Sequence, residues 1–446
     1  MIVRKFIQWS ENAPASARAD GAGALARAYL YGEMDAADRD EAEQTLFALL
    51  DDPSPLVRRA LAESFASAAE APPAIVVALA SDQSDISAMV LARSPLLSDE
   101  QLIDCAAIGD SAAQAAIALR PDLSPAVAAA LAEVSPREAL IVLAANEGAN
   151  LPEFAMRRMI ERFAQDGELR EALLGRAWLP GAVRAALAAA TARQLADFAV
   201  ERNWMARARS ERVASDSRDR ATMIIAAGCA AYSDETAALA AYLRVSGQLT
   251  AGLALRALLC GQTGLFEATL VELTGMGPRR IAGLVKDPAS TAFAAIYAKA
   301  GLPAPLLIAF RTALAVLARS SGAEIGEGAL RLTVIQTVLR QCETVGDESL
   351  GRLIALLRRF ESDAAREYGK RGMARMKSEA PVLERVEPVV SAPKITASAM
   401  APGASEPAAA ETAPAVTSVA APAATPPDEF EIFIDFNALE KELIAA

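Results

Sequence analysis

The 446-residue chain contains no histidine. That removes the commonest general base and the commonest transition-metal ligand together, and it deprives a serine or cysteine nucleophile of its usual partner. Cysteine is scarce too: Cys105, Cys229, Cys260 and Cys342 are the four, and no two stand in CxxC spacing. Neither a zinc knuckle nor a dithiol redox pair is encoded, and thiols in apolar helical contexts read as reduced and buried in a cytoplasmic protein. Apolar runs stop short of a bilayer, since residues 223–231 are nine long and residues 302–318 are interrupted by Arg311. No membrane span is expected. A GxxxxGK[ST] phosphate loop is missing as well. Together these absences predict a protein that is not an enzyme, holds no cofactor or metal, and takes no small-molecule substrate.

Aromatic residues make up only 5% of the chain, whereas apolar residues as a whole reach 53% and alanine is abundant. Alanine has the highest helix propensity and lets neighbouring backbones approach. Residues 1–378 offer no strict alternation of β-branched side chains from which to build a sheet. The predicted fold class is all-α.

Proline and serine mark the helix starts. Ser54-Pro55, Ser124-Pro125 and Ser135-Pro136 each pair a capping hydroxyl with a proline, which forfeits no hydrogen bond at the first helical position. Ser98 with Gln101 and Ser135 with Glu138 have the capping-box spacing. Between the caps, apolar residues recur at helical intervals: Val57, Leu61 and Phe65, then Ile75, Val76 and Leu79, then Leu102, Ile103 and Ala106. Pairing successive helices gives units that begin near residues 55, 85, 111, 136 and 168. A helix pair this small cannot hide its apolar stripe alone, so stacking on its neighbours is predicted, as in an α-solenoid.

The unit DDPSPLVRRALAE resembles a HEAT-like repeat, shorter than the usual ~40 residues. Five regions follow from texture: a HEAT-like helical-repeat block over 1–190, a charged connecting helix over 191–222, a second helical block over 223–378, a disordered Ala/Pro-rich acidic linker over 379–427, and a docking peptide over 428–446. The connecting helix is expected to carry Leu195, Phe198 and Trp204 on its apolar side. MIVRKFIQW, LARAYLYG, DDPSPLVRRALAE, SPLLSDEQL, GQLTAGLALRALLCG and KAGLP resemble a family of uncharacterised alphaproteobacterial proteins that carry a domain of unknown function. The resemblance spans roughly residues 1–375 and implies a bacterial, cytoplasmic, helical protein. It brings no catalytic or binding residues with it.

Residues 273–285, LTGMGPRRIAGLV, resemble a helix-hairpin-helix, whose second helix holds a nucleic-acid phosphate on its first N–H groups. Gly275, Gly277, Arg279 and Arg280 are its candidate nucleic-acid-binding residues. The pattern departs from that element in one respect. The position needing a small side chain is Ile281, and Ala282 comes one residue late, a rotation of about 100° around the helix. Charge is also thin, because Arg279, Arg280 and Lys286 face Glu272 and Asp287. The competing reading is a glycine stop, a proline start and two apolar stripes packed on each other.

From residue 379 onward eleven acids stand against three bases, so most of the chain's net charge of −12 lies there. Residues 379–427 have too few large apolar groups to offset chain entropy, and disorder is expected. Residues 428–446 differ, gathering Phe430, Ile432, Phe433, Ile434 and Phe436, then Leu439 and Leu443 in a predicted final helical turn. These seven are the candidate partner-binding residues. A basic cluster from Arg358 to Lys377 precedes the tail. The sequence thus predicts a non-catalytic helical-repeat scaffold or regulatory adaptor that binds protein partners through its repeat surface and a tethered peptide. A nucleic-acid-associated regulator using residues 273–285 is the alternative.

Overall fold

The computed structural model describes residues 7–10, 12–230, 232–320, 327–345 and 350–379. Helices α1 (Ala15–Tyr31), α2 (Ala36–Leu50), α3 (Pro55–Phe65), α4 (Pro73–Ala80), α5 (Ser84–Arg93), α6 (Asp99–Ile108), α7 (Ser111–Ala118), α8 (Pro125–Val134), α9 (Arg137–Ala145), α10 (Glu153–Arg162) and α11 (Gly167–Leu174) come first. Then follow α12 (Gly181–Glu201), α13 (Arg207–Ala227), α14 (Asp234–Val245), α15 (Ala251–Leu259), α16 (Thr263–Thr274), α17 (Pro278–Val285), α18 (Thr291–Lys299), α19 (Leu307–Ser320), α20 (Glu327–Val345) and α21 (Gly351–Glu379). No strand occurs among the described residues, and a single bridge joins Leu123 to Ala149. The chain is all-α.

Each helix in the first half packs against the second one along. Thus α1, α3, α5, α7, α9 and α11 form one layer, while α6, α8, α10, α12, α14 and α16 form another, with α2 against α4 at its start. Odd helices begin at residues 55, 84, 111, 137 and 167, so the expected units fall within one residue of their places. The stripes close as the periodicity requires: Val57, Leu61, Phe65, Ile75, Val76 and Leu79 are fully buried, and Leu102 and Ala106 nearly so. One apolar cluster runs from Ala22 to Ala190, a second from Ala251 to Ala364, and a third, from Ala185 to Ala268, bridges them.

The starts of the odd helices are stitched together by a recurring aspartate. Asp52 accepts the Ser54 N–H at 2.8 Å and Nε of Arg18 at 2.9 Å. Asp82 takes the Gln83 N–H and Nε of Arg58, each at 2.7 Å. Asp110 accepts the N–H groups of Ala112 and Ala113 and the Ser84 hydroxyl, and Asp166 accepts the Leu169 N–H and the Arg137 guanidinium. Asp110 and Asp166 cap α7 and α11 directly. Asp52 and Asp82 hold only the N–H of Ser54 and Gln83, the N-cap residues of α3 and α5, whose own side chains make no cap bond. All four reach a residue on the previous odd helix. The α9 start lacks this link. There Pro136 is the N-cap residue, and Ser135 terminates α8 with its hydroxyl buried, so the capping box expected at Ser135 and Glu138 does not form. The box at Ser98 and Gln101 does.

At the other edge, helix carbonyls are capped from the next repeat. Arg120 donates to the Leu91 and Ser94 carbonyls at 2.6 and 2.7 Å, and Asn146 donates to the Ala118 and Arg120 carbonyls, each at 2.7 Å. Arg176 spans the carbonyls of Ala144, Asn146 and Ala149 at 3.1, 2.8 and 2.8 Å. The last carbonyls of a helix have no partner inside it, so each repeat satisfies the one before. Gly148 lets the two turns meet, since a Cβ there would lie 1.8 Å from the Pro121 carbonyl oxygen.

Candidate interaction surface

The region from 191 to 222 is two antiparallel helices. Residues 202–206 turn the chain between α12 and α13, which pair along their length as a hairpin. The turn is a Schellman cap: the Trp204 N–H bonds the Ala199 carbonyl at 2.9 Å, and Asn203 sits in the left-handed region at φ 56°. The charge pattern continued across this turn, which is why the sequence reads as one helix. Glycine did not mark the turn; asparagine took the left-handed position instead.

Beyond the body, this hairpin has no core. From residue 191 to residue 221 the sole fully buried residue is Ser210, whose hydroxyl bonds the Ala196 carbonyl at 2.8 Å. None of the three apolar clusters draws a buried residue from between Ala190 and Met223. Leu195, Phe198 and Trp204 stand 62%, 40% and 70% exposed on this arm. Phe198 and Trp204 meet edge to face with centroids 5.4 Å apart, and the Arg202 guanidinium stacks on Phe198 at 5.1 Å. The aromatic contact completes the cap, because the residue after the left-handed position packs on the last turn. Most of the Trp204 ring remains open.

The arm's root is fixed by charge. The Arg256 side chain is only 6% exposed, and it faces Asp216 at 2.5 Å and Asp219 at 3.6 Å. Arg220 bonds Asp216 at 2.9 Å and Asp363 of α21 at 3.0 Å. Burial disfavours the Asp216 carboxylate, but the charge and hydrogen bond of Arg256, with Arg220 behind, hold its pKa below the usual range. Asp219 shares the same arginine on poorer geometry. Its burial, with the Asp216 charge adding to it, outweighs Arg256 and pushes its pKa up to about 6.

Among the described residues no group of three cysteine, aspartate or glutamate side chains is placed to hold a metal ion. Cys105, Cys229 and Cys260 are half-buried and Cys342 is buried, all as free thiols. Burial pushes the Cys342 thiol up to about 11, away from the reactive thiolate form. No described helix is long and apolar enough to cross a membrane.

Gly275 ends α16 in the left-handed conformation at φ 68°, and Gly277 with Pro278 begins α17. Ile281 is fully buried against the core that holds Phe266 and Leu270, and Ala282 is turned partly outward. Arg279 and Arg280 are exposed. The corner therefore brings its four candidate residues together at an apolar helix junction that fills its core with isoleucine. Phe430, Ile432, Phe433, Ile434, Phe436, Leu439 and Leu443 lie outside the described residues. The arm is the surface that sequence reading missed. Its signal was present as three large apolar residues in a stretch otherwise too charged to have a core.

A family model described as an uncharacterised protein conserved in bacteria (DUF2336) matches residues 86–346. That span contains the whole arm. No curated protein and no solved structure matches the chain.

Proposed function

The chain belongs to that bacterial family, and from this premise we propose that it is a non-catalytic cytoplasmic adaptor built of HEAT-like helical repeats, which binds protein partners through its arm and its residues 428–446. The observation that carries the reading is the arm itself. A helical hairpin that buries one residue over its outer part while presenting Leu195, Phe198 and Trp204 gains little from folding alone. Rigid aromatic and arginine side chains at a projecting tip are the residue types that dominate protein interfaces. Stacked repeats supply the scaffold that holds such a tip at a fixed angle.

The test is affinity capture with the full chain, followed by titration of each purified partner. Leu195→Ser combined with Trp204→Ser is expected to weaken binding of partners that dock on the arm at least tenfold, and deletion of residues 428–446 is expected to abolish capture of partners that dock on that peptide. Undiminished binding by both variants would remove the adaptor reading. A purified sample that turned over a substrate would remove its non-catalytic part.

A further inference from the structure

We infer that, in the free protein, the apolar patch on the arm is covered by residues 428–446 of the same chain. The inference rests on the reading of the arm as a docking surface and adds its occupant. Three observations select this occupant. The first is area: three partly exposed side chains present roughly a few hundred Å², against about 800 Å² per partner in a stable complex of two molecules. A second copy of the arm, bearing the same net positive charge, is a poor match for so small a patch. A tethered ligand needs far less area. At the effective millimolar concentration a flexible linker provides, a contact with Kd on the order of 0.1 mM is mostly occupied.

The second is reach. Residue 379 ends α21, and Asp363 on that helix is bonded to Arg220 on α13. From Asp363 to Glu379 is about 24 Å of helix, and from Arg220 back to Trp204 is about another 24 Å. With about 10 Å between the bridged helices, the two ends are therefore separated by about 60 Å at most, whichever way the helices point. Forty-eight residues, 380–427, intervene before Asp428. Treated as a flexible coil they cover about 40 Å on average and stretch beyond about 60 Å at modest entropic cost.

The third is chemistry. Residues 191–215 carry five arginines against Asp197, Glu201 and Glu211. Residues 428–446 carry six acids against Lys441. In Phe430–Phe436 the acids Glu431 and Asp435 alternate with the even-numbered apolar residues, so an extended segment offers one apolar face. Among the described residues there is no sheet edge for that segment to join. It docks instead by laying this face on Leu195, Phe198 and Trp204, with Leu439 and Leu443 adding a third helical turn to the two-helix arm. Docked in this way, the peptide and the arm mask each other, and an external partner must displace the contact.

Amide hydrogen exchange on the full-length protein tests this. In low salt, Phe430→Ser combined with Phe436→Ser is expected to speed exchange in residues 191–212 at least threefold, and 0.5 M salt is expected to act in the same direction, because the Debye length falls from roughly 20 Å at 0.02 M to about 4 Å. Arg207→Glu with Arg209→Glu should do likewise, and adding Glu429→Lys with Glu431→Lys should restore protection. Unchanged exchange in the phenylalanine variant overturns the inference. So does protection that rises with protein concentration, which would make the occupant a second copy, or protection lost from α21 instead of the arm. Partner binding by the arm would survive any of these failures, so the adaptor reading is judged separately.

Discussion

The guanidinium of Arg256 on α15 lies 4.6 Å from the ring centroid of Phe360 on α21, sealed between that ring and the carboxylates of Asp216 and Asp219 on α13. One side chain thus joins three helices far apart in sequence. Removing it strands two carboxylates in a partly buried site. Arg256→Ala is expected to cost about 3 kcal/mol in urea unfolding. A triple variant, Arg256→Met with Asp216→Leu and Asp219→Leu, should recover most of the loss, because no unpaired charge remains. If the single variant loses less than the triple, the cluster is not the clamp described.

Asp219 gives this cluster a pH signature. Its pKa is about 6 in the folded protein and near the ordinary 3.8 when unfolded, so between these values the folded state binds the extra proton. The ionised group therefore costs stability above pH 6, and the cost disappears as pH falls through 6 toward 4. The expected gain is about 1 kcal/mol on going from pH 7 to pH 5, the part of the shift released over this interval, discounted for the partial exposure of the carboxylate. Glu267, whose pKa burial also raises, acts in the same direction. Asp219→Asn should show higher stability at pH 7 and a flatter profile between pH 5 and 7. A wild-type midpoint that falls over this interval would contradict the assignment.

Arg176 holds three carbonyls of the preceding repeat with one fork. Arg176→Ala should cost about 2 kcal/mol by leaving them short of donors, and Arg176→Lys should rescue little, since an ammonium cannot span the same three oxygens. Gly148→Ala should be worse than either, as its Cβ has no space beside Pro121. Thermal unfolding of the three proteins orders them.

Asn203 is the one described residue other than glycine at positive φ. Asn203→Gly is expected to stabilise the arm slightly, and Asn203→Val to destabilise it by about 1 kcal/mol, because a β-branched side chain clashes in the left-handed region. Exchange rates of the amides flanking the turn report this directly, and equal rates in the two variants would refute the cap.

The helix starts were legible because they are local. Pro55, Pro125 and the Ser98 box act within a few residues of themselves, and Val57, Leu61 and Phe65 declare their face by spacing alone. Ser135 was misread for the same reason. Its spacing to Glu138 fits a box, but the neighbouring α8 ends on it and buries the hydroxyl. The aspartates before α3, α5, α7 and α11 recur in the sequence, yet nothing local says that each also binds a residue 24 to 34 positions earlier. Gly275 and Arg279 were readable as a turn, and the burial of Ile281 settled which face was inside.

Composition and periodicity by themselves determined an all-helical chain of short stacked pairs, since propensity, capping and apolar spacing are properties of neighbouring residues. Tertiary structure alone decided that α12 and α13 fold back as an arm, that Arg256 clamps α13 to α21, and which apolar residues stay in water. Those outcomes depend on which surfaces remain after every helix has found its neighbours, and that is fixed only when the whole chain has packed.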